Sequence, residues 1–478
     1  MYKTEILNQL KKQLCNEDFR NNEYYQAVEE VFDSLTPILN GEHKDNKILE
    51  RLVVPDQVHK FKVIWEKDNG EIKINTGYRV QYNNSLGVLK GGLRFHPSVN
   101  EKILKFLAFE QTFKNSLTGL MISGAKGGAD IDPKDMTDSE MRRFCYAFAT
   151  KLNPYIGDRT DVPAGDIGVG SRELGYIYGK LKELRGKSEF GIISGKPVDM
   201  GGSLARKEAT GYGVVYFLIN MLESYGLIDS NYFPERGEKY LEYLNVNQPL
   251  QGKKVVISGS GNVAIYAAEK VIQLGGKVIA MSDSSGTLID KPNGIDLNCI
   301  KEIKEVNKGR LIDYTKTNLD SMYIKKEDYK SGQHMIWDLE GTDIALPCAT
   351  QNELTINDAR NLHKHGCKVV VEGANMPTTK AAVEFLLEQK EDILFAPGKA
   401  SNAGGVATSF LEMSQNSSLE NWSFEKVDTQ ISEIMYGIFE NSYQTAKKYN
   451  DERNLVMGAN IFSFERLVKS MISQGLMS

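Results

Sequence analysis

Apolar and polar positions recur with two different periods along this chain. Residues 5–14 and 23–39 space their apolar side chains three and four apart, which predicts two amphipathic helices. The period then drops to two. Residues 58–65 (VHKFKVIW) and 71–82 (EIKINTGYRVQY) roughly alternate, and Asp68-Asn69-Gly70 supplies a turn, so a β-hairpin is expected. Residues 100–117 return to helical spacing, with Ile103, Leu104, Leu107 and Phe113 facing inward and Gln111 and Lys114 sharing one side. The character changes near Gly201. From there the pattern predicts a helix over 206–224, a strand over 253–258, a turn at 259–261, a helix over 262–274 and a strand over 277–281. Further strands are expected at 343–347, 368–372 and 393–396. Alternation of strand and helix implies a parallel sheet covered on both faces, hence an α/β fold. Amphipathic helices are expected again at 424–447 and 460–473, whereas 228–252 is polar and irregular and has the look of an insertion.

Length and composition narrow this picture. At 478 residues the chain exceeds one ordinary core, so two or three domains are expected. With 41% hydrophobic and 25% charged residues it has the balance of a soluble globular protein. A formal net charge of −5 offers no basic surface for nucleic acid or an anionic membrane. No apolar run has the length of a membrane span, and the N-terminal stretch lacks a signal peptide's apolar segment, so a cytoplasmic protein is expected. Five scattered cysteines (Cys15, Cys145, Cys299, Cys348, Cys367) fit reduced thiols better than a disulfide framework.

Against that mildly acidic background, three lysines stand in glycine-rich settings: Lys90 in LKGGLRFHPS, Lys114 in FKNSLTG and Lys126 in ISGAKGGAD. Asp166 follows in PAGDIGVG. Lys126 and Asp166 are expected on glycine-rich loops. Converging cations with one carboxylate suit a small, multiply anionic substrate that gains or loses protons. Farther on, Gly259-Ser260-Gly261-Asn262-Val263-Ala264 follows an apolar strand and opens a helix, the setting in which a glycine turn binds a dinucleotide pyrophosphate. Asp283 ends the next strand, where an acid commonly meets a ribose hydroxyl. His363 and His365 lack a second ligand cluster, so no metal is expected. No P-loop and no nucleophile elbow is present.

Long stretches of the chain, including GYRVQYNNSLGVLKGGLRFHPSV, TDVPAGDIGVGSRELGY, LPCATQNEL and FAPGKASNAGGVATS, resemble the hexameric glutamate dehydrogenases, most closely their small-subunit, NADP-preferring type. The resemblance implies a substrate-binding and oligomerisation domain (1–202), a Rossmann-like, doubly wound dinucleotide-binding domain (203–404) and C-terminal helices (405–478) returning to the first. A deep cleft would separate the two domains and close during turnover. It implies a homohexamer that interconverts L-glutamate with 2-oxoglutarate and ammonium. In such an enzyme Lys90 and Ser409 would hold the γ-carboxylate. Lys114, Gln111 and the backbone at Gly165 would border the α-carboxylate. Lys126 would polarise the carbonyl or a water, and Asp166 would carry protons to and from nitrogen. Thr210, Asn262 and Asn375 would meet the cofactor. Ser123, Ala125 and Lys207 depart from the usual family pattern while leaving those positions intact.

The resemblance and the plain reading of the residues differ over the cofactor. An ionised Asp283 repels a 2′-phosphate and so favours NAD. Ser282, Ser284 and Ser285 beside it offer hydroxyl donors, and Lys304 resembles a phosphate-binding lysine of NADP-preferring members. NADP is therefore expected, with NAD as the alternative. Two further alternatives are a dehydrogenase for apolar amino acids, in which an apolar residue would replace Lys90, and a catalytically silent metabolite-sensing or protein-binding paralogue.

Overall fold

The computed structural model describes residues 2–13, 22–39, 41–228, 236–329 and 334–475. These fall into two compact units. The first comprises Met1–Leu204, Thr408–Ser423 and Asn460–Ser478, and the second Ala205–Ala407 and Phe424–Ala459.

The first unit is built on five strands: β1 (Gln57–Glu66), β2 (Ile72–Asn83), β3 (Val88–Phe95), β4 (Ile122–Ala129) and β5 (Asp161–Gly165). Their order across the sheet is β1-β2-β4-β3-β5. The β1–β2 hairpin is antiparallel with Ile64 opposite Ile74, and β4 continues antiparallel beside β2. β3 runs parallel to both β4 and β5. On one face Phe95 meets Phe144 and Phe148 edge-on, within a core that also takes in Leu93, Leu174 and Ile177. The helix Glu101–Leu117 begins where Asn100 Oδ1 accepts the Ile103 N–H, an N-cap that satisfies one orphan donor. Leu104, Leu107 and Phe113 are buried as the spacing predicts, and Ile103 only partly.

Three local expectations need revision. The helix starting at Glu23 ends at Ser34 rather than running to 39, because Pro37 cannot donate to a continuing helix. The helix Tyr2–Gln13 covers the first predicted segment, while Leu14 and Cys15 lie outside the described residues. Lys126 sits within β4, not on a loop, because β4 is paired on both sides, with β2 and with β3. In the irregular 228–252 stretch, Glu238–Asn247 forms a helix anchored by buried Tyr240 and Leu244, and residues 229–235 lie outside the description.

The second unit holds seven strands: β6 (Lys254–Ile257), β7 (Lys277–Asp283), β8 (Gly286–Ile289), β9 (Met322–Lys325), β10 (Ile344–Leu346), β11 (Val369–Val371) and β12 (Leu394–Ala396). Their order is β12-β11-β10-β6-β7-β8-β9. From β12 to β7 the pairs are parallel, with short apolar strands buried on both faces. β8 and β9 are antiparallel additions at one edge, which the alternating pattern did not predict. β6 lies between β7 and β10, so the chain order reverses there. In such sheets ligands bind beyond the carboxyl ends of the strands at that switch point. Among the described residues no helix is long and apolar enough to cross a membrane.

Candidate active site

Parallel pairing in the first unit sets Leu93 of β3 beside Gly165 of β5 and Arg94 beside Gly128 of β4. Asp166, the residue after β5, therefore leaves the sheet next to Arg94. The approach is tight: a Cβ at position 92 would stand 2.8 Å from Asp166 Cβ, and one at 128 would stand 2.0 Å from the Arg94 carbonyl oxygen. Glycine at both positions is what lets the charged groups meet. Lys126 Nζ donates to Asp166 Oδ1 at 3.0 Å and Arg94 Nε to Oδ2 at 2.7 Å. The Lys126 and Asp166 side chains are only 6% and 17% exposed.

Electrostatics follow from that crowding. Burial alone would raise the Asp166 pKa, but the Lys126 and Arg94 charges and hydrogen bonds overcome it and hold the carboxyl at about 2. Burial pushes Lys126 below its ordinary value and the Arg94 and Arg79 charges add to this, while Asp166 pulls the other way. Beneath the pair, Arg79 of β2 forms a fully buried ion pair with Asp161 of β5 and donates to the Gly91 carbonyl at 3.1 Å. Gln81 also donates to Asp161, at 2.9 Å.

Lys90 lies on β3, four residues before Arg94, and is 1% exposed. Gln111 Nε2 donates to Asn115 Oδ1 at 2.7 Å, and Asn115 in turn donates to the carbonyl of Lys90 at 3.1 Å. This ties the face carrying Gln111 and half-buried Lys114 to the strand carrying Lys90. Ser409 belongs to the same unit and is buried on the helix Gly404–Ser418. That helix is pinned three residues on, where Glu412 pairs with the buried Lys196 at 2.7 Å and accepts the Gly195 N–H at 2.8 Å.

In the second unit, the predicted turn caps the helix Asn262–Gln273 directly after β6. Gly259 adopts φ +89, and a Cβ there would come within 3.1 Å of Ala349. Its N–H donates to Ser282 Oγ at 3.1 Å. Space is open where a Cβ at Gly261 would point, and Gly261 and Asn262 are exposed. Ser260 and Val263 flank them, partly exposed. A helix N-terminus with free N–H groups and open space in front fits a pyrophosphate.

Asp283 closes the β7–β8 turn. Its Oδ1 accepts from the Ser285 and Gly286 N–H groups and the Tyr323 hydroxyl, and its Oδ2 from the Leu311 N–H. Arg310 Nη1 donates to Ser284 Oγ at 2.8 Å, placing a guanidinium and a hydroxyl together at this corner. Lys304 Nζ donates to the Gly309 carbonyl at 2.9 Å, next to Arg310. Serine hydroxyl, arginine and lysine form a donor set suited to a phosphate. Asn375 Oδ1 accepts from Asn402 at 3.0 Å, and Thr210 lies close to Gly405, where a Cβ would stand 2.6 Å from its Oγ1.

Residues 55–183 match the family described as Glu/Leu/Phe/Val dehydrogenase, dimerisation domain, and residues 236–475 match Glutamate/Leucine/Phenylalanine/Valine dehydrogenase. The chain belongs to this dehydrogenase family. It is 47% identical, over all of both chains, to an NADP-specific glutamate dehydrogenase of Helicobacter pylori strain J99. It is 46% identical, again over the full length of both, to an NAD(P)-specific glutamate dehydrogenase of Xylanibacter ruminicola. Among solved structures, glutamate dehydrogenase of Plasmodium falciparum superposes with a TM-score of 0.87 at 42% identity, covering 99% of this chain and 96% of that one.

Sequence reasoning missed Arg94, Arg79, Asp161 and Arg310. No strand was expected at 88–95; in the fold Arg94 stands four residues from Lys90 on β3, an even spacing that puts both on one side of the strand. Arg79 and Asp161 are 82 residues apart and carried no signal.

Proposed function

We propose that this member of the family is a glutamate dehydrogenase, interconverting L-glutamate with 2-oxoglutarate and ammonium with NADP as cofactor. The observation that carries this is a buried lysine, Lys90, on the same strand as the arginine of the Lys126–Asp166–Arg94 cluster. Relatives named glutamate dehydrogenase, 47% and 46% identical over their full length, support reading Lys90 as the ligand of a second substrate carboxylate, which an apolar amino acid lacks.

The bound cofactor would accept or supply the hydride. The chain's own residues do the rest. Lys90 and Ser409 hold the γ-carboxylate, and Lys114 and Gln111 the α-carboxylate, fixing the α-carbon. Lys126, whose charge is crowded by Arg94 and Arg79, donates toward the substrate carbonyl oxygen and stabilises charge developing there. Asp166 takes a proton from nitrogen and returns it in the reverse direction. The turn Gly259–Asn262 receives the pyrophosphate, Asn375 and Thr210 the nicotinamide side, and Ser284, Arg310 and Lys304 the 2′-phosphate. Asp283, with both oxygens engaged by the protein, has less to offer a ribose hydroxyl than its position in sequence suggests.

A second copy of the chain is the occupant we assign to the edge of the first sheet. Among the described residues no strand pairs with the outer side of β1, and Ile64, Ile72 and Ile74 are 53%, 67% and 65% exposed on the hairpin. An apolar edge of this kind is a liability unless covered, and it falls within the matched dimerisation domain. We extend this to a cytoplasmic homohexamer.

The test is consumption of NADPH, followed by absorbance, with 2-oxoglutarate and ammonium, against NADH and against apolar 2-oxo acids. Turnover of apolar acids in preference to 2-oxoglutarate would refute the substrate, and preference for NADH would refute the cofactor. A chain silent with every 2-oxo acid would favour the binding-protein alternative.

A further inference from the structure

We infer that Arg94 is a positioning residue for Asp166: it keeps one carboxylate oxygen permanently engaged, so that the other is shared between Lys126 and the substrate nitrogen. This rests on the proton-transfer role proposed for Asp166. The two cations bind opposite oxygens, Arg94 Nε at Oδ2 (2.7 Å) and Lys126 Nζ at Oδ1 (3.0 Å). They differ in kind. The Nε of arginine carries one hydrogen in a rigid plane and cannot be deprotonated, whereas a lysine ammonium turns freely about a flexible stem. Lys126 can swing from Oδ1 toward a substrate oxygen; Arg94 has no comparable freedom, since its backbone carbonyl is pressed against Gly128 at a spacing that excludes a Cβ.

That asymmetry solves a chemical difficulty. A carboxylate held by two cations is a poor base at neutral pH. When Lys126 turns to the substrate, Asp166 loses one cation and gains basicity at Oδ1 alone, facing the reacting nitrogen. Arg94 prevents the carboxylate from rotating and presenting the wrong oxygen. The charged groups around it are few. β3 brings Arg94 and Lys90, and β4 brings Lys126. β2 brings Arg79, neutralised by Asp161 of β5. The helix Glu101–Leu117 carries Glu110 and Lys114, and from the helix Ser171–Arg185 Arg172 pairs with Glu173 and Asp138.

The experiment compares native enzyme, Arg94→Gln and Arg94→Lys in the full chain, by pH profiles of kcat/KM for 2-oxoglutarate with NADPH and ammonium. NADPH affinity and the thermal melt serve as controls. Removing the charge makes Asp166 easier to protonate and Lys126 harder to deprotonate, so both limbs of the R94Q profile move to higher pH. Turnover falls about 100-fold, within the range of a positioned base, and NADPH affinity holds. R94K keeps the charge without the fixed plane: its limbs stay near the native positions while kcat drops about tenfold, less than the roughly 10²-fold that losing a positioned base costs at the least. Native turnover in R94Q, or lost turnover with unmoved limbs, overturns the inference. If R94Q does not fold, R94K decides alone, because native kcat there contradicts the need for a fixed plane. A native enzyme silent toward 2-oxoglutarate instead overturns the substrate reading on which this rests.

Discussion

Replacing Lys90 by leucine separates the proposed substrate from its apolar relatives. Lys90 is 1% exposed, so a carboxylate meeting its ammonium is stripped of most of its water. The relevant scale is then the buried one, about 2–5 kcal/mol for removing one partner of a desolvated charge pair, and not the ~0–1 kcal/mol of a surface ion pair. At 1.4 kcal/mol per decade this is a loss of roughly 30-fold to several thousand-fold in kcat/KM for 2-oxoglutarate. A branched acid with an apolar side chain, such as 2-oxo-4-methylpentanoate, has no second carboxylate to lose a partner, and leucine offers its side chain a dry surface, so its kcat/KM holds or rises. Both substrates are assayed with NADPH and ammonium, and the ratio of the two kcat/KM values is the readout, which cancels any shared loss of folded enzyme. Equal losses for both acids, or an unchanged rate with 2-oxoglutarate, would remove Lys90 from the γ-carboxylate.

Lys126→Ala and Asp166→Asn each lower kcat by roughly 10²–10⁴-fold while the dissociation constant for NADPH, measured by fluorescence, changes little; near-native turnover in either removes that residue from catalysis. Arg79→Met leaves Asp161 charged and fully buried without its partner, and lowers the unfolding free energy by about 3–5 kcal/mol. Urea unfolding checks this, and a midpoint within error of native contradicts it. Native enzyme prefers NADPH to NADH in kcat/KM, and both Arg310→Ala and Lys304→Ala narrow that preference, Arg310 the more because its five N–H donors leave more to spare after Ser284 than the three of Lys304 leave after Gly309. A preference that survives both substitutions places the 2′-phosphate elsewhere.

What could be read from the chain and what could not divides by the reach of the interaction. The strand–turn–helix at 254–273 is local: an apolar run, a glycine turn and a helix opening follow within twenty residues, and all appear in place. The β8 and β9 strands are four residues each, too short to show a period, so the antiparallel edge went unseen. With it went the corner in which Asp283 is tied to Tyr323 and Leu311, 40 and 28 residues away. Arg94 and Asp166 lie 72 residues apart, and no spacing rule links them.

The glycines around the lysines show how a sound expectation can rest on an incomplete cause. Their presence suggested backbone laid open to a ligand. In the fold, Gly92 and Gly128 instead face the protein itself, Asp166 in one case and the Arg94 carbonyl in the other. They shorten the distance between strands, and that shortening is what brings a lysine and an arginine onto one aspartate carboxylate. A methyl group at either position would therefore act on the charges, not on the substrate. Gly92→Ala should lengthen the Arg94–Asp166 contact and reduce turnover while leaving Lys90, and so the preference for a second carboxylate, in place.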